Sequence, residues 1–251
     1  MKQTRYLLAL VLAFVLPMSW AKQAPSERKY FSEKNWSKLT DGDMVFIRSR
    51  SKNAALIAQL SGIDSSDEND AVFTHCGIVF RDSQGLKVLE GAGRGEVLTL
   101  ADWQTREAKD AGHPNGEKPH NVYVRRWRTP AELTAARLND LLNRAKALHD
   151  IGYDWGFSWT DGYAYCSELN WKAYHATGLK DLPLHSIGYY LEKLGSKGPE
   201  AEARLNRKEI KDVYRKGPDG KGKDVDRAET AVSPEDIYTS EMLVSVDDGT
   251  P

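Results

Sequence analysis

Residues 152–169 begin Gly152-Tyr153-Asp154-Trp155-Gly156 and end Tyr165-Cys166-Ser167-Glu168-Leu169; with Thr74-His75-Cys76-Gly77-Ile78 upstream, they decide how this chain is read. Ser167 and Glu168 have first-turn character, and a carboxylate at Glu168 suits the positive end of a helix. Cys166 is therefore expected to open a helix that ends before Gly178, with Leu169, Ala173 and Ala176 toward the core. His75 is expected near the start of a strand, Phe73 to Phe80. A helix N-terminus lowers a thiol pKa and offers an unpaired N–H to a developing oxyanion. Cleavage of an amide needs a nucleophile, a base and a group that orients the base. Cys166 is the candidate nucleophile and His75 the candidate base.

Glu90 closes the hairpin that His75 begins. Antiparallel pairing could bring its carboxylate beside the imidazole, to fix the tautomer and stabilise the imidazolium. Each residue also has a plainer reading: a buried small hydrophobe for Cys166, a structural histidine for His75 and a solvated strand end for Glu90. Spacing alone favours the plainer one for Glu90. The other histidines lack such a setting. His113 and His120 fall in a polar loop, His149 in the last turn of a helix, and His175 and His185 show no partner pattern.

Cys76 and Cys166 are the only two cysteines, so a disulfide between them is the competing interpretation. Side chains alternate along a strand, so if His75 faces Cys166, Cys76 must point the other way. The bridge and the catalytic pair are then nearly exclusive. No Cys-x-x-Cys or His-x-x-x-His spacing supports zinc, and no metal or cofactor is expected.

The first residues have the pattern of a processing signal: Lys2 and Arg5, an apolar run from Leu7 to Leu16, and Ser19-Trp20-Ala21 as the cleavage site. The expectation is a signal peptide over 1–21, an exposed lead-in over 22–40, and a mature protein that is periplasmic or secreted. The run is too short for a transmembrane helix, and no cysteine follows it to carry a lipid, so no stable membrane anchor is expected. Removing Lys2 and Arg5 takes the net charge from −1 to −3, which leaves no bulk basic character for nucleic acid. Arg125-Arg126-Trp127-Arg128 reads as a strand edge with solvated arginines.

Strands are expected at Met44–Ile47, Phe73–Phe80, Leu86–Leu89, Val97–Leu100 and Val122–Trp127, with Asp82-Ser83-Gln84-Gly85 as a hairpin turn. Asn53 can cap a helix over 54–61, before a polar loop over 64–70. Residues 91–95 are a glycine-rich bend and 105–120 a polar segment. The clearest helix runs from Pro130 to His149, with Thr129 and Glu132 as its capping box and Leu138, Leu141, Leu142, Ala145 and Leu148 as its apolar stripe. Residues 195–230 are highly charged and read as a flexible insertion. A last ordered piece starts at Ser233-Pro234-Glu235-Asp236, and 247–251 form a tail.

Taken together, these motifs resemble the permuted papain-like amidases of the YaeF/YiiX type, relatives of NlpC cysteine peptidases. Gly152 to Leu169 is similar to the NlpC nucleophile segment, and Thr74 to Ile78 to the base-bearing strand. His75 precedes Cys166, however, the reverse of the NlpC order. Gly42-Asp43-Met44-Val45-Phe46, Val88-Leu89-Glu90-Gly91 and Ser233 to Ile237 complete the pattern over residues 41–246. Two departures stand out: Cys76, where the family usually has Val or another apolar residue, and Asn170, where it more often has Val.

The resemblance implies an α+β fold, a circularly permuted papain-like domain with a small antiparallel barrel-like sheet packed on the helix that carries Cys166. It implies a triad of Cys166, His75 and Glu90; beside it, the residues flanking the nucleophile offer Tyr153 or Tyr165 as a second, substrate-binding contact. The expected substrate is a peptide amide, most simply of cell-wall origin, with a lipid-acyl amide or ester as the rival. A non-catalytic binding module, with Trp103, Trp127, Trp155, Trp159 and Trp171 lining a groove, is the alternative of a different kind.

Overall fold

The computed structural model describes residues 30–48, 73–91, 97–110, 122–159, 162–215 and 221–246. The expected signal peptide, the helix over 54–61, the loop over 64–70 and the tail over 247–251 lie outside the described residues.

The strands are β1 (Met44–Ile47), β2 (His75–Asp82), β3 (Gly85–Leu89), β4 (Leu98–Thr99), β5 (Tyr123–Trp127), β6 (His185–Ser186), β7 (Thr230–Ala231) and β8 (Leu243–Ser245). Six of them form one sheet in the order β4-β3-β2-β1-β5-β8, every pairing antiparallel. The unbroken apolar run Met44-Val45-Phe46-Ile47 suits the central strand, because both faces of that strand are covered.

Alternation along the strands separates two layers. On one face Met44, Phe46, Cys76, Ile78 and Leu89 share a core with helices α2 (Ala135–Ile151) and α3 (Cys166–His175). On the other, Val45, Ile47, Val79 and Val88 pack with Leu100 and Trp103 of α1 (Leu100–Asp110). The chain is thus an α+β fold in which the sheet lies between the helix opened by Cys166 and a second helical layer.

Three local expectations are corrected. First, α2 starts later than its sequence signal: Pro130–Glu132 is a separate 3-10 turn, and Thr134 caps the helix by accepting the Arg137 N–H at 3.4 Å. Glu132 instead accepts the Trp127 indole N–H at 2.9 Å. The stripe still packs inward, with Leu141, Ala145 and Leu148 buried. Second, the segment from 105 is not an irregular polar stretch at its start, because α1 runs to Asp110. Leu100, Trp103 and Glu107 fall on one buried face of it, at helical spacing.

Third, residues 195–230 are not simply a flexible insertion. They contain α5 (Gly198–Leu205) and α6 (Lys208–Tyr214), following α4 (Ile187–Lys193), and they place Ala201, Leu205 and Val225 in the main core. Ala201 and Leu205 are one turn apart, so a narrow apolar stripe anchors a segment whose other faces are charged. The last ordered piece is α7 (Pro234–Tyr238) followed by β8; Ser233 caps α7 by accepting the Asp236 N–H at 3.1 Å.

One core position carries an uncompensated cost. Asn170 in α3 is fully buried, and neither its amide nitrogen nor its carbonyl oxygen has a hydrogen-bond partner among the described residues. An unsatisfied buried polar group costs about 1–3 kcal/mol. Asn170→Val should therefore raise stability to urea by about that much. Equilibrium unfolding of the two forms checks this, and equal or lower stability of the valine form would show that the amide is satisfied in solution.

Candidate active site

Cys166 is the first residue of α3 and is fully buried. The segment leading into it is tied down by backbone bonding. Asp154 accepts the N–H groups of Gly156 (2.6 Å) and Ser158 (2.7 Å), which folds the Tyr-Asp-Trp-Gly motif into a turn. The Glu168 carboxylate reaches back to the Tyr165 N–H at 3.3 Å, and the Ser167 hydroxyl donates to the Val232 carbonyl at 2.8 Å. Burial raises the Glu168 carboxyl to about 8, against the pull of the Lys172 ammonium 2.6 Å from its other oxygen.

Gly91 lets the end of β3 come against this segment. A Cβ there would lie 2.6 Å from the Ala164 carbonyl oxygen and 2.7 Å from the Tyr165 carbonyl carbon, so a side chain at 91 would push Glu90 away from Cys166.

His75 opens β2. The β2–β3 register pairs Ile78 with Leu89 and, continued by one residue, sets Glu90 across from Gly77 on the face that also carries His75. Gly77 has no side chain, so Glu90 leans diagonally across it and bonds His75 Nε2 through Oε2. That leaves Nδ1 as the ring nitrogen for Cys166, to which the imidazole is hydrogen-bonded. Glu90 Oε2 also accepts the Trp103 indole N–H at 2.6 Å, and the Trp103 ring stacks on the imidazole with centroids 5.7 Å apart. Arg106 Nη2 pairs with Glu90 Oε1 and, at 2.7 Å, with Glu107 Oε1, which itself lies 3.9 Å from His75 Nε2. On the α2 side, His149 Nδ1 donates to the Glu90 carbonyl at 2.7 Å.

The sequence reading missed Trp103, Arg106, Glu107 and the His149 contact. The i, i+3, i+4 spacing of Trp103, Arg106 and Glu107 was the available signal for three of them.

The electrostatics follow from these contacts. Burial works against the imidazolium, but the charges of Glu107, Cys166 and Glu90 outweigh it and raise the His75 pKa well above 6.5. The Cys166 pKa falls well below its ordinary value, first through a hydrogen bond from the Cys76 thiol, then, against burial, through the charge and hydrogen bond of His75 and the Cys76 N–H. Burial alone would raise the Glu90 carboxyl, yet His75 and then Arg106 bring it down from 4.5 to about 2. The arrangement favours a thiolate beside an imidazolium beside a carboxylate.

The expected exclusion between Cys76 and His75 does not hold. Both act on the Cys166 thiol and lower its pKa, Cys76 first and His75 after it. Alternation is intact, with Cys76 on the α3 face and Glu90 on the other, but His75 is the first residue of the strand. At the end of the sheet a ring can reach past the edge to a helix start that the next residue meets directly. Both cysteines are free thiols.

Of the two tyrosines singled out, Tyr153 is half-buried, packed at a tilt against Trp155 with ring centroids 4.5 Å apart, and close enough for the Cys166 charge to help raise its pKa, after burial. Tyr165 turns away: its hydroxyl accepts the Val232 N–H at 3.0 Å, on the wall of an apolar pocket. Of the tryptophans considered as a ligand groove, Trp103, Trp127 and Trp171 are buried in the two cores.

His75, Glu90 and Glu107 bring potential metal-ligand atoms within 4.8 Å of one another. The guanidinium of Arg106 already bonds both carboxylates, so a cation would have to displace it, and the three groups are a poor fit to a metal as arranged here.

Comparison with known proteins agrees with this geometry. The chain matches, over residues 38–246, the family described as permuted papain-like amidase enzyme, YaeF/YiiX. It is 28% identical over 214 residues to the uncharacterized protein YiiX of Escherichia coli (strain K12), covering 84% of this chain and 87% of that protein. It is also similar to the crystal structure of metalloprotein yiiX from Escherichia coli O157:H7, with a TM-score of 0.59 and 25% identity over 84% of this chain and 98% of that one. The matched span runs from β1 to β8 and includes every residue of the site, and the chain belongs to the permuted papain-like amidase family, a family of cysteine amidases and peptidases.

Proposed function

We propose that this protein is an exported cysteine amidase that cleaves peptide amides of the cell wall through a triad of Cys166, His75 and Glu90. The observation that carries the reading is the Cys166 thiol at the first position of α3, hydrogen-bonded to His75 while Glu90 holds the far side of the ring. In this reading the Cys166 thiolate attacks the amide carbonyl, and the oxyanion forms at the start of α3, where the Cys166 N–H has no acceptor within the helix. The Tyr153 hydroxyl is the second contact. His75 gives its proton to the departing amine, and then takes one from the water that hydrolyses the acyl-enzyme. Glu90, clamped by Trp103 and Arg106, keeps Nδ1 directed at the sulfur.

Support for export is the leader pattern at residues 1–21; among the described residues no helix is long and apolar enough to cross a membrane. Support for amide cleavage is the family's description as amidases. A metal, which gives the Escherichia coli O157:H7 relative its title, has no part in this reading, because Arg106 stands between the two carboxylates.

The direct test is incubation of the mature protein with purified peptidoglycan, its muropeptides, and a parallel panel of N-acyl amides and acyl esters, with products resolved by mass. New amine and carboxylate ends on the peptides are expected. Turnover of the acyl panel alone would overturn the substrate assignment and keep the chemistry. Cys166→Ser should lose nearly all activity, and Glu90→Gln should slow acylation roughly ten- to a thousandfold, about 1.4–4 kcal/mol of barrier.

The pH dependence has a definite sign. The rate rises with pH as Cys166, held well below the ordinary thiol range, loses its proton, and falls as His75, held well above the ordinary imidazole range, loses its own. Glu90→Gln removes a charge that raises the His75 pKa, and the alkaline limb should move to lower pH. Identical limbs in both forms would show that Glu90 does not act on His75.

Glu90 should also be visible in stability. Its folded pKa, about 2, lies below the ordinary 4.5, so its contribution is fully present above pH 4.5 and lost as pH falls toward 2. That contribution is about 3 kcal/mol. Urea unfolding of the protein and of Glu90→Gln at several acid pH values should show the gap between them narrowing by about that amount. A constant gap would mean that Glu90 is not paired in the folded state.

A further inference from the structure

Cys76 is no member of the proposed triad. It lies in the middle of an apolar core, opposite Phe46 across the β1–β2 pairing and beside Ile78, where an aliphatic side chain would pack as well. It nevertheless lies on the α3-facing side of β2, in the same core as Cys166, and each thiol shifts the pKa of the other. The chain has two cysteines, and these are the two. Their backbones belong to β2 and α3, elements packed directly on one another, and both side chains lie in the core between them.

We propose that Cys76 is the resolving thiol of a reversible oxidative off-state, in which a peroxide oxidises Cys166 and Cys76 then closes a Cys76–Cys166 disulfide. The first step is attack of the Cys166 thiolate on the peroxide. An S–O bond forms as the O–O bond breaks, and the departing oxygen takes its proton from the His75 imidazolium, leaving Cys166 as the sulfenic acid. In the second step the Cys76 sulfur attacks that sulfenic sulfur. The S–S bond forms, the S–O bond breaks, and hydroxide leaves with the Cys76 proton as water. Two electrons pass from the two thiols to one peroxide. A dithiol reductant reverses the change by thiol–disulfide exchange and restores both thiols.

The site suits this chemistry in three respects. The thiolate that attacks an amide also attacks a peroxide, and His75 stands ready with the proton that the leaving oxygen needs. Peroxide is close to water in size, so it needs less room at a buried sulfur than a peptide does. Both cysteines are buried, which favours closure within one chain over cross-linking between chains. The off-state protects the nucleophile, because a sulfenic acid without a neighbouring thiol goes on to the irreversible sulfinic acid.

Loss of activity on oxidation rests on Cys166 being the nucleophile; disulfide formation itself does not. The test treats reduced full-length protein with stoichiometric hydrogen peroxide, then reads free thiols, intact mass and amidase activity before and after dithiothreitol. The expected result is loss of both thiols with a mass decrease of about 2 Da in a monomer, and activity lower by at least about tenfold that returns on reduction. Cys76→Ser and Cys76→Val, each compared with its own untreated form, should instead stop at a sulfenic acid about 16 Da heavier that dithiothreitol reduces, and with excess peroxide pass to a sulfinic acid about 32 Da heavier that stays inactive after dithiothreitol. Two variants guard against one that does not fold. If the unaltered protein accumulates the 32 Da species with Cys76 still free, the proposal fails and the hydrolytic reading stands. A disulfide that forms without loss of activity overturns both the off-state and the assignment of Cys166.

Discussion

The hydrogen bond between the Cys166 thiol and the His75 imidazole is the contact on which the rest of this structure depends. A thiolate and an imidazolium inside a protein are costly unless each charge is bonded. The surrounding elements supply those bonds. The α3 N-terminus, the Cys76 thiol and the Cys76 N–H serve the sulfur. Glu90 serves the ring, Trp103 and Arg106 serve Glu90, and Glu107 balances Arg106. Charges alternate in sign along this row from Cys166 to Glu107, so no member is buried without an opposite neighbour. Removing one should be felt by the next, which is why the effects of Glu90, Arg106 and Trp103 are not expected to add.

The fold brings together two layers that the sheet would otherwise keep apart. Cys166 comes from the layer of α2 and α3, while Trp103, Arg106 and Glu107 come from α1 on the opposite face. His75 can join them because it is the first residue of β2, where the sheet ends. Gly77 and Gly91 make the approach possible. A Cβ at Gly77 would meet Val88 Cγ1 at 2.5 Å, and one at Gly91 would meet the backbone before Cys166. The candidate site is therefore an edge property of the sheet, and its precision depends on two positions that have no side chain.

Much of this was legible in the sequence. The central strand, the His75 hairpin and the helix opened by Cys166 each carry a local signal, in an apolar run, a turn and a first-turn carboxylate. Glu90 was placed correctly beside His75 by hairpin pairing, even though spacing alone favoured a solvated strand end. The helix α1 was not seen, because Leu98 and Thr99 do form a short strand and the residues after Asp102 are mostly polar; its inward face is narrow and includes a buried ion pair. Thr129 and Glu132 looked like a cap but form a separate turn, because Glu132 bonds Trp127. The relation of Cys76 to Cys166 was misjudged for a geometric reason: alternation fixes which face a side chain takes, but not what lies beyond the end of the strand. The Tyr165 hydroxyl could not be placed without knowing that Val232, far away in sequence, offers an unpaired N–H.

The central claim is that Cys166 is held as a thiolate by His75 in the resting protein. Its most direct test is the rate of alkylation of Cys166 by iodoacetamide as a function of pH, with peptide mapping to separate it from Cys76. The account expects Cys166 to be modified first, at a rate that levels off well below the ordinary thiol range, while Cys76, held as a thiol by burial and by the neighbouring Cys166, lags far behind. A Cys166 rate that climbs only through the ordinary thiol range near 9, in step with Cys76, would contradict it.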